Sequence, residues 1–385
     1  MISMQSLILR SLSFICVCLT VANGNSATCG HDVTIPVVLR PMPSDFFAPE
    51  RVILRLAGDH KTTVYIRDTK YKNAKASSTV LKTQDGGDTW QSLPADLGND
   101  SKPQEELWSD DQSVVYRKRG PLYLRSFDKG LHWELPKYLI DGKATEQFAA
   151  KYAKDSRGHL SLSIVGTDPK DARRIFGSFN VSMASEKEVS QSQRIPGVYV
   201  SLDAGDNWVL FSGELVNGSP VRISTSAPNI VWGVSETGPV RSDNGGKTWR
   251  AVGQQAELMR PLFPIDEAKV NAAADAAGGS QEEFRRRATE NAKSQVWDIA
   301  LYQQDSSYVL MLMNKGLFQS VDGGDSWHYL DIGSNMIGII NSASYDLTDP
   351  RTIYVGAVDL VKSIDGGCTF RRVYPPHSSH LPHHK

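Results

Sequence analysis

Six times this chain returns to one short pattern, Ser/Thr-x-Asp/Asn-x-Gly-x-x-Trp/Phe. The copies run from Thr83 to Trp90, Ser126 to Trp133, Ser201 to Trp208, Ser242 to Trp249, Ser320 to Trp327 and Ser363 to Phe370. Their acidic or amide positions are Asp85, Asp128, Asp203, Asn244, Asp322 and Asp365. A recurring motif marks one supersecondary unit used repeatedly. Apolar stretches such as Thr79-Val80-Leu81, Leu122-Tyr123-Leu124 and Gly197-Val198-Tyr199-Val200 lead into the Ser/Thr. Others follow the aromatic, as in Trp208-Val209-Leu210-Phe211 and Trp249-Arg250-Ala251-Val252. The pattern therefore reads as strand, tight turn, strand. Glycine supplies positive φ without steric cost, and Asp accepts backbone N–H groups inside such a turn. The closing aromatic carries a large apolar surface that needs burial. The hydroxyl and carboxylate are thus turn chemistry. A calcium loop would need more carboxylates per loop than most copies offer.

From one Ser/Thr to the next, the motifs lie 43, 75, 41, 78 and 43 residues apart. The short spacings match one four-stranded propeller blade. In the last unit Ile337-Gly338-Ile339-Ile340 reads as strand A and Thr352-Ile353-Tyr354-Val355 as B. Leu360-Val361-Lys362-Ser363 reads as C and Phe370-Arg371-Arg372-Val373 as D. The expected fold is all-β, a six-bladed β-propeller, or a seven-bladed one if a blade without the motif sits in a long gap. The motifs resemble Asp boxes, also called BNR repeats. These occur in sialidases and other glycoside hydrolases, in sortilin-type receptor ectodomains and in the propeller of a photosystem II assembly factor. The resemblance covers roughly residues 50 to 374 and is specific for the blade turn. It says little about activity, because one fold hosts many functions.

At 385 residues with 42 basic and 43 acidic side chains, net charge −1, the chain has no global field that would favour nucleic acid. Arg10, the apolar run Leu12 to Ala22 and small residues through Ala27 read as a secretory signal peptide over residues 1–27. The run is too short for a full membrane span. The rest reads as one propeller domain, residues 28–375, followed by a His-rich tail, residues 376–385. Secretion, to the cell exterior or the periplasm, as a monomer is the expectation. Cys16 and Cys18 leave with the signal, so the mature chain keeps Cys29 and Cys368. Two cysteines in a secreted chain suggest one disulfide. It would clamp the first blade to the last, where Val33 to Val38 could add a strand.

Strand direction alternates within a blade, so A–B and C–D turns share one face, and B–C turns and D–A links share the other. The six motifs are all C–D turns. Irregular segments are expected at residues 69–78, 137–150, 181–195 and 253–294, all on the opposite face. The longest is helical by pattern: an Ala-rich stretch from Pro264 to Ala277, a break at Gly278-Gly279, then Ser280 and Glu283 as a capping box. Phe284, Ala288 and Ala292 then recur on one face. Arg285-Arg286-Arg287 reads as a solvated helix face. Long ordered insertions on one face are where scaffolds carry function.

A sialidase would need three convergent arginines, a Tyr–Glu nucleophile pair and an acid/base Asp. Arg194-Ile195-Pro196 matches the Arg-Ile-Pro signature of that family but lies in the third blade, and Tyr199 with Glu214 has no spacing support. No zinc spacing, nucleophile elbow or phosphate loop is present, so no cofactor or metal is expected. His377, His380, His383 and His384 form only a terminal cluster. Asn99, Asn180 and Asn217 head triplets that would accept glycans only in a eukaryotic source. The expected function is a non-catalytic module binding a protein or glycan partner on the face opposite the motifs; the alternative is a sialidase-like glycoside hydrolase. Thiol labelling of the secreted protein without reductant should modify no cysteine; two labelled thiols would refute the Cys29–Cys368 pairing.

Overall fold

The computed structural model describes residues 51–56, 64–72, 75–92, 106–108, 113–128, 130–153, 158–183, 191–262, 264–332, 340–357 and 359–374. The expected signal peptide, Cys29, the run Val33 to Val38, Asn99 and the His-rich tail lie outside them. Six sheets are present among the described residues, each built from strands consecutive in the chain. The first holds β1 (Arg51–Leu56), β2 (Val64–Lys72), β3 (Lys75–Thr83) and β4 (Gln91–Ser92). The second holds β5 (Glu106–Trp108), β6 (Val115–Arg119) and β7 (Leu122–Ser126). In the third, β8 (Leu139–Ile140) and helix α1 (Thr145–Ala153) precede β9 (Gly158–Asp168), β10 (Asp171–Met183), β11 (Gln191–Arg194), β12 (Val198–Ser201) and β13 (Asn207–Ser212). The fourth is β14 (Arg222–Ile223), β15 (Val231–Ser235), β16 (Gly238–Ser242) and β17 (Arg250–Ala251). The fifth is β18 (Val296–Leu301), β19 (Val309–Met313), β20 (Gly316–Ser320) and β21 (His328–Leu330). The sixth is β22 (Ser342–Tyr345), β23 (Ile353–Gly356), β24 (Leu360–Ser363) and β25 (Arg371–Tyr374).

The apolar cores lie between sheets, and that makes the molecule a β-propeller. Tyr116 and Tyr123 of the second sheet meet Phe179, Tyr199 and Trp208 of the third. Phe176 and Val198 face Ile223 and Val231 of the fourth. Trp232 packs with Ile299, Met311 and Phe318 of the fifth. Leu310 and Leu317 meet Tyr345 and Val355 of the sixth. The sixth returns to the first, where Val64 and Leu81 pack on Tyr354, Leu360 and Val373. A strand covered on both faces can be apolar throughout, and β19 is buried at all five positions. The outer strands β4 and β17 are exposed.

One turn geometry recurs at the six motifs. In the fifth sheet the Ser320 hydroxyl donates to Asp322 Oδ1 at 2.8 Å and accepts from the Gly324 N–H at 2.7 Å. Asp322 then accepts from the Ser326 N–H at 2.9 Å and its hydroxyl at 2.5 Å. At four of the six turns the second glycine has positive φ and abuts the preceding sheet. A Cβ at Gly324 would come within 2.4 Å of Trp232, at Gly367 within 2.8 Å of Leu330, and at Gly246 within 2.2 Å of Phe211. At the first turn the neighbour is Val373, and Trp90 Nε1 donates to the Val373 carbonyl at 3.0 Å.

Several expectations are corrected. Residues 69–72 and 75–78 are not irregular: β2 and β3 simply run on, paired from Thr69↔Ser78 to Lys72↔Lys75. Nor is all of 181–195 a loose loop, since β10 continues to Met183 and β11 pairs with it from Asn180↔Arg194 to Met183↔Gln191. Both are hairpin extensions, because backbone groups leaving a sheet are satisfied most readily by more ladder. The first described strand of the last sheet is Ser342–Tyr345, which pairs with β23; of the expected Ile337 to Ile340, residues 337–339 lie outside the described residues and Ile340 is buried outside the ladder. The second sheet has no fourth strand among its described residues, only an Arg125↔Glu134 bridge. The chain instead runs on to β8, which pairs parallel with β13 on the outer edge of the third sheet.

Ser320→Ala removes the acceptor of the buried Gly324 N–H. It should lower unfolding free energy by about 1–3 kcal/mol, read as a shift in the urea midpoint at constant m-value.

Candidate functional site

Between β17 and β18 the chain inserts α2 (Gln255–Leu258), α3 (Glu267–Ala277) and α4 (Gln281–Ala292). Asp266 caps α3 by accepting from the Lys269 N–H at 3.2 Å, and Gly278 ends it in the left-handed region at φ 61°. The expected capping box of α4 is absent. Ser280 makes no side-chain cap bond, and the Glu283 carboxylate that would reach back to the Ser280 N–H is held by Arg286 and Arg287 at 2.9 and 2.7 Å. Arg285 pairs with Glu267 of α3 at 2.9 Å, so the arginine run is spent on the helices themselves.

The roots of this insertion are fixed. The Leu262 N–H donates to the Ala292 carbonyl at 2.8 Å, bringing its two ends together. Asn314, in the turn between β19 and β20, donates from Nδ2 to the Lys293 carbonyl at 2.9 Å and accepts from the Gln295 N–H at 3.0 Å. Beside it, Lys315 Nζ donates to the Glu257 and Arg260 carbonyls at 3.3 and 3.4 Å, at the C-terminal end of α2. Leu258 of α2 is fully buried in the core between the fourth and fifth sheets.

These anchored segments wall a cleft of about 1160 Å³. Its other walls are residues 194–197 before β12, the link 213–220 between the third and fourth sheets, and the β15–β16 turn Ser235-Glu236-Thr237. Every wall is thus a B–C turn or a D–A link, on the face away from the repeated C–D turns. The floor is apolar, with Leu215 and Val234 buried and Val216, Met259, Ile265 and Val296 beside them. The described lining residues include no Trp, Tyr, Phe or His. Of the charged ones, Arg260 is held by Glu257 at 2.6 Å and Lys293 by Glu290 at 2.7 Å. Arg194, Glu214 and Glu236 are exposed.

A second cavity of about 290 Å³ touches β9, β14 and Gln303. Here Arg222 stitches three sheets. Its Nη1 donates to the Val165 carbonyl at 2.8 Å, its Nε to the Ile299 carbonyl at 2.9 Å, and its Nη2 to Asp298. A guanidinium so occupied is not offered to a ligand. No sequence signal singled it out, because its partners lie in other blades.

The positions expected as sites are distributed, not convergent. Asp85, Asp128, Asp203, Asn244, Asp322 and Asp365 each sit in their own turn and bond their own Ser/Thr. The Thr83 hydroxyl holds the Asp85 carboxyl well below the usual carboxylate range, and the His132 N–H brings Asp128 to about 2. No cluster of three or more metal-ligating side chains occurs among the described residues. Trp208 and Trp327 are buried, whereas Trp90, Trp133, Trp249 and Phe370 are half-buried. Arg194 and Glu214 meet at the cleft, but Tyr199 is buried against Phe148 and Phe179 at ring distances of 6.0 and 5.3 Å. Asn217 is no free glycan acceptor, since its Nδ2 donates to the Phe179 and Ile195 carbonyls at 2.8 Å each. Asn180 Oδ1 is buried in β10. No helix among the described residues is long and apolar enough to cross a membrane.

No protein-family profile matches this chain, and no curated protein matches it. Among solved structures it is similar to a GH74 enzyme from Niastella koreensis, with TM-score 0.43, 11% identity, 83% of this chain and 46% of that one covered. It is also similar to YCF48 from Cyanidioschyzon merolae, with TM-score 0.38, 13% identity, and 84% and 97% covered. A structure of YCF48 bound to D1 peptide gives TM-score 0.36, 15% identity, and 84% and 82%. The chain spans about half the length of that GH74 enzyme. The similarity concerns fold alone.

Burial lowers the Lys315 ammonium from 10.5 to about 8, with neighbouring Arg260 adding to the shift. Between those values the unfolded chain keeps a proton that the folded chain has shed, so this group makes stability rise with pH. Urea unfolding from pH 7 to 10 should show that rise in the native sequence, and Lys315→Met should remove it.

Proposed function

We propose that this chain is a secreted Asp-box propeller of six blades that binds a partner rather than turning over a substrate. The carrying observation is the cleft walled by the strapped helical insertion, with its apolar floor. The six repeated turns with their shared hydroxyl–carboxylate bonding support the Asp-box assignment and the blade number. Secretion rests on the apolar leader, and the clamp from Cys29 to Cys368 rests on the two cysteines that the mature chain would keep.

A protein partner fits this cleft better than a glycan. Sugar sites stack pyranose faces on aromatic rings, and the described lining residues include none. Its buried Leu215 and Val234, with Met259 and Ile265, instead suit aliphatic side chains. A sialidase-like hydrolase requires arginines from several blades free to clamp a carboxylate. Arg222 is consumed by carbonyls and Asp298, and Tyr199 stands in the core.

Because Leu262 and Ala292 already touch, residues 264–291 can be replaced by a short Gly-Ser linker. That variant should keep the native circular dichroism spectrum and lose binding to peptides selected on the intact protein. Retained binding, or turnover of a fluorogenic sialoside by the intact protein, would refute the proposal.

A further inference from the structure

We infer that the cleft takes an extended polypeptide, which adds as a strand to the open edge of β11. The inference rests on the binding role proposed for the cleft and names its ligand and contact mode. On one side of β10, two strands follow each other: β12 pairs with Ile175–Gly177 and β11 with Asn180–Met183. The next strand outward, β13, pairs with β12 on one side and β8 on the other, reaches no residue of β11, and ends at Ser212. Beyond Ser212 the chain turns off through Gly213 and Glu214 into the link to the fourth sheet. The ladder position beside β11 is therefore vacant among the described residues. The cleft lies at its foot, since Arg194, Pro196, Gly197, Gly213 and Glu214 all line it.

The direction of the free backbone groups follows from pairing. The Ile195 N–H donates inward to the Phe179 carbonyl at 3.0 Å. Antiparallel ladders alternate, so Gln193 and Gln191 also bond inward, and the N–H and C=O groups of Ser192 and Arg194 point outward. An open edge with outward donors and acceptors is a template for strand addition. Alternate side chains of an added strand would meet the apolar floor. Charge adds a preference. Glu214 and Glu236 are exposed at this end and have no ion-pair partner among the described residues, whereas Arg260 and Lys293 are already paired. The ligand is thus an extended segment of a partner protein, with alternating aliphatic residues and a Lys or Arg toward Glu214 and Glu236.

The test uses the full chain and a displayed library of random peptides of strand length. Selected peptides should carry that alternation and a basic residue. Ser192→Pro removes one outward N–H but no inward bond, a change that edge strands tolerate. It should weaken the selected peptides about tenfold, the worth of one or two backbone hydrogen bonds, with the urea midpoint unchanged. In the unaltered chain, peptide binding should slow hydrogen exchange at the Ser192 and Arg194 amides, so the outcome does not hinge on the variant folding. Peptides indifferent to Ser192→Pro, protection confined to other segments, or a library with no binder would overturn strand addition. Peptides that ignore Ser192→Pro but need residues 264–291 would overturn it while sparing the cleft as a binding site. Peptides indifferent to both changes would overturn both.

Discussion

The ring depends on how closely one sheet's turn can approach the sheet before it. At four of the repeated turns the second glycine sits where a Cβ would collide with the neighbour: with Val373 at Gly87, Phe211 at Gly246, Trp232 at Gly324 and Leu330 at Gly367. The Ser/Thr hydroxyl and the Asp carboxylate fold the turn tightly enough to deliver that glycine. The apolar seams between sheets then close behind it. The five Asp and one Asn are therefore fully employed in their own loops, which is why the six positions make no binding site.

Fixing the C–D turns leaves the other face to vary. There the chain extends one hairpin into β11, links sheets by longer routes and inserts two packed helices. The insertion is held by backbone bonds at its root, by Asn314 and Lys315 from the next sheet, and by the buried Leu258. A wall anchored in this way keeps its shape without a ligand. A preformed site of this kind does not have to order itself when a partner arrives.

The blades were legible because their signal is local. Ser363-x-Asp365-x-Gly367 specifies a turn whatever surrounds it, and β24 falls where its sequence puts it, at Leu360–Ser363. Features that depend on remote partners were not legible. Ser342–Tyr345 does not look strand-like by sequence, yet pairing with Ile353–Gly356 makes it one. Ser280 and Glu283 have capping-box spacing, but two arginines one turn on compete for the carboxylate. The cleft was foreseen only as a face. Arg222, Asn314 and Lys315 gave no warning, since each gets its role from a carbonyl in another element.

The seam between first and last sheets has a consequence in time. Trp90 and Gly87 meet Val373 across almost the whole domain, and the Trp90 bond to Val373 spans 283 residues. Contacts so distant in sequence must bear the loop-closure entropy before they contribute anything. During synthesis the first sheet therefore waits, one flank bare, until the final strand has emerged. The open arc before that moment is the most adhesive form of this molecule, and a chain stopped short of Val373 never leaves it.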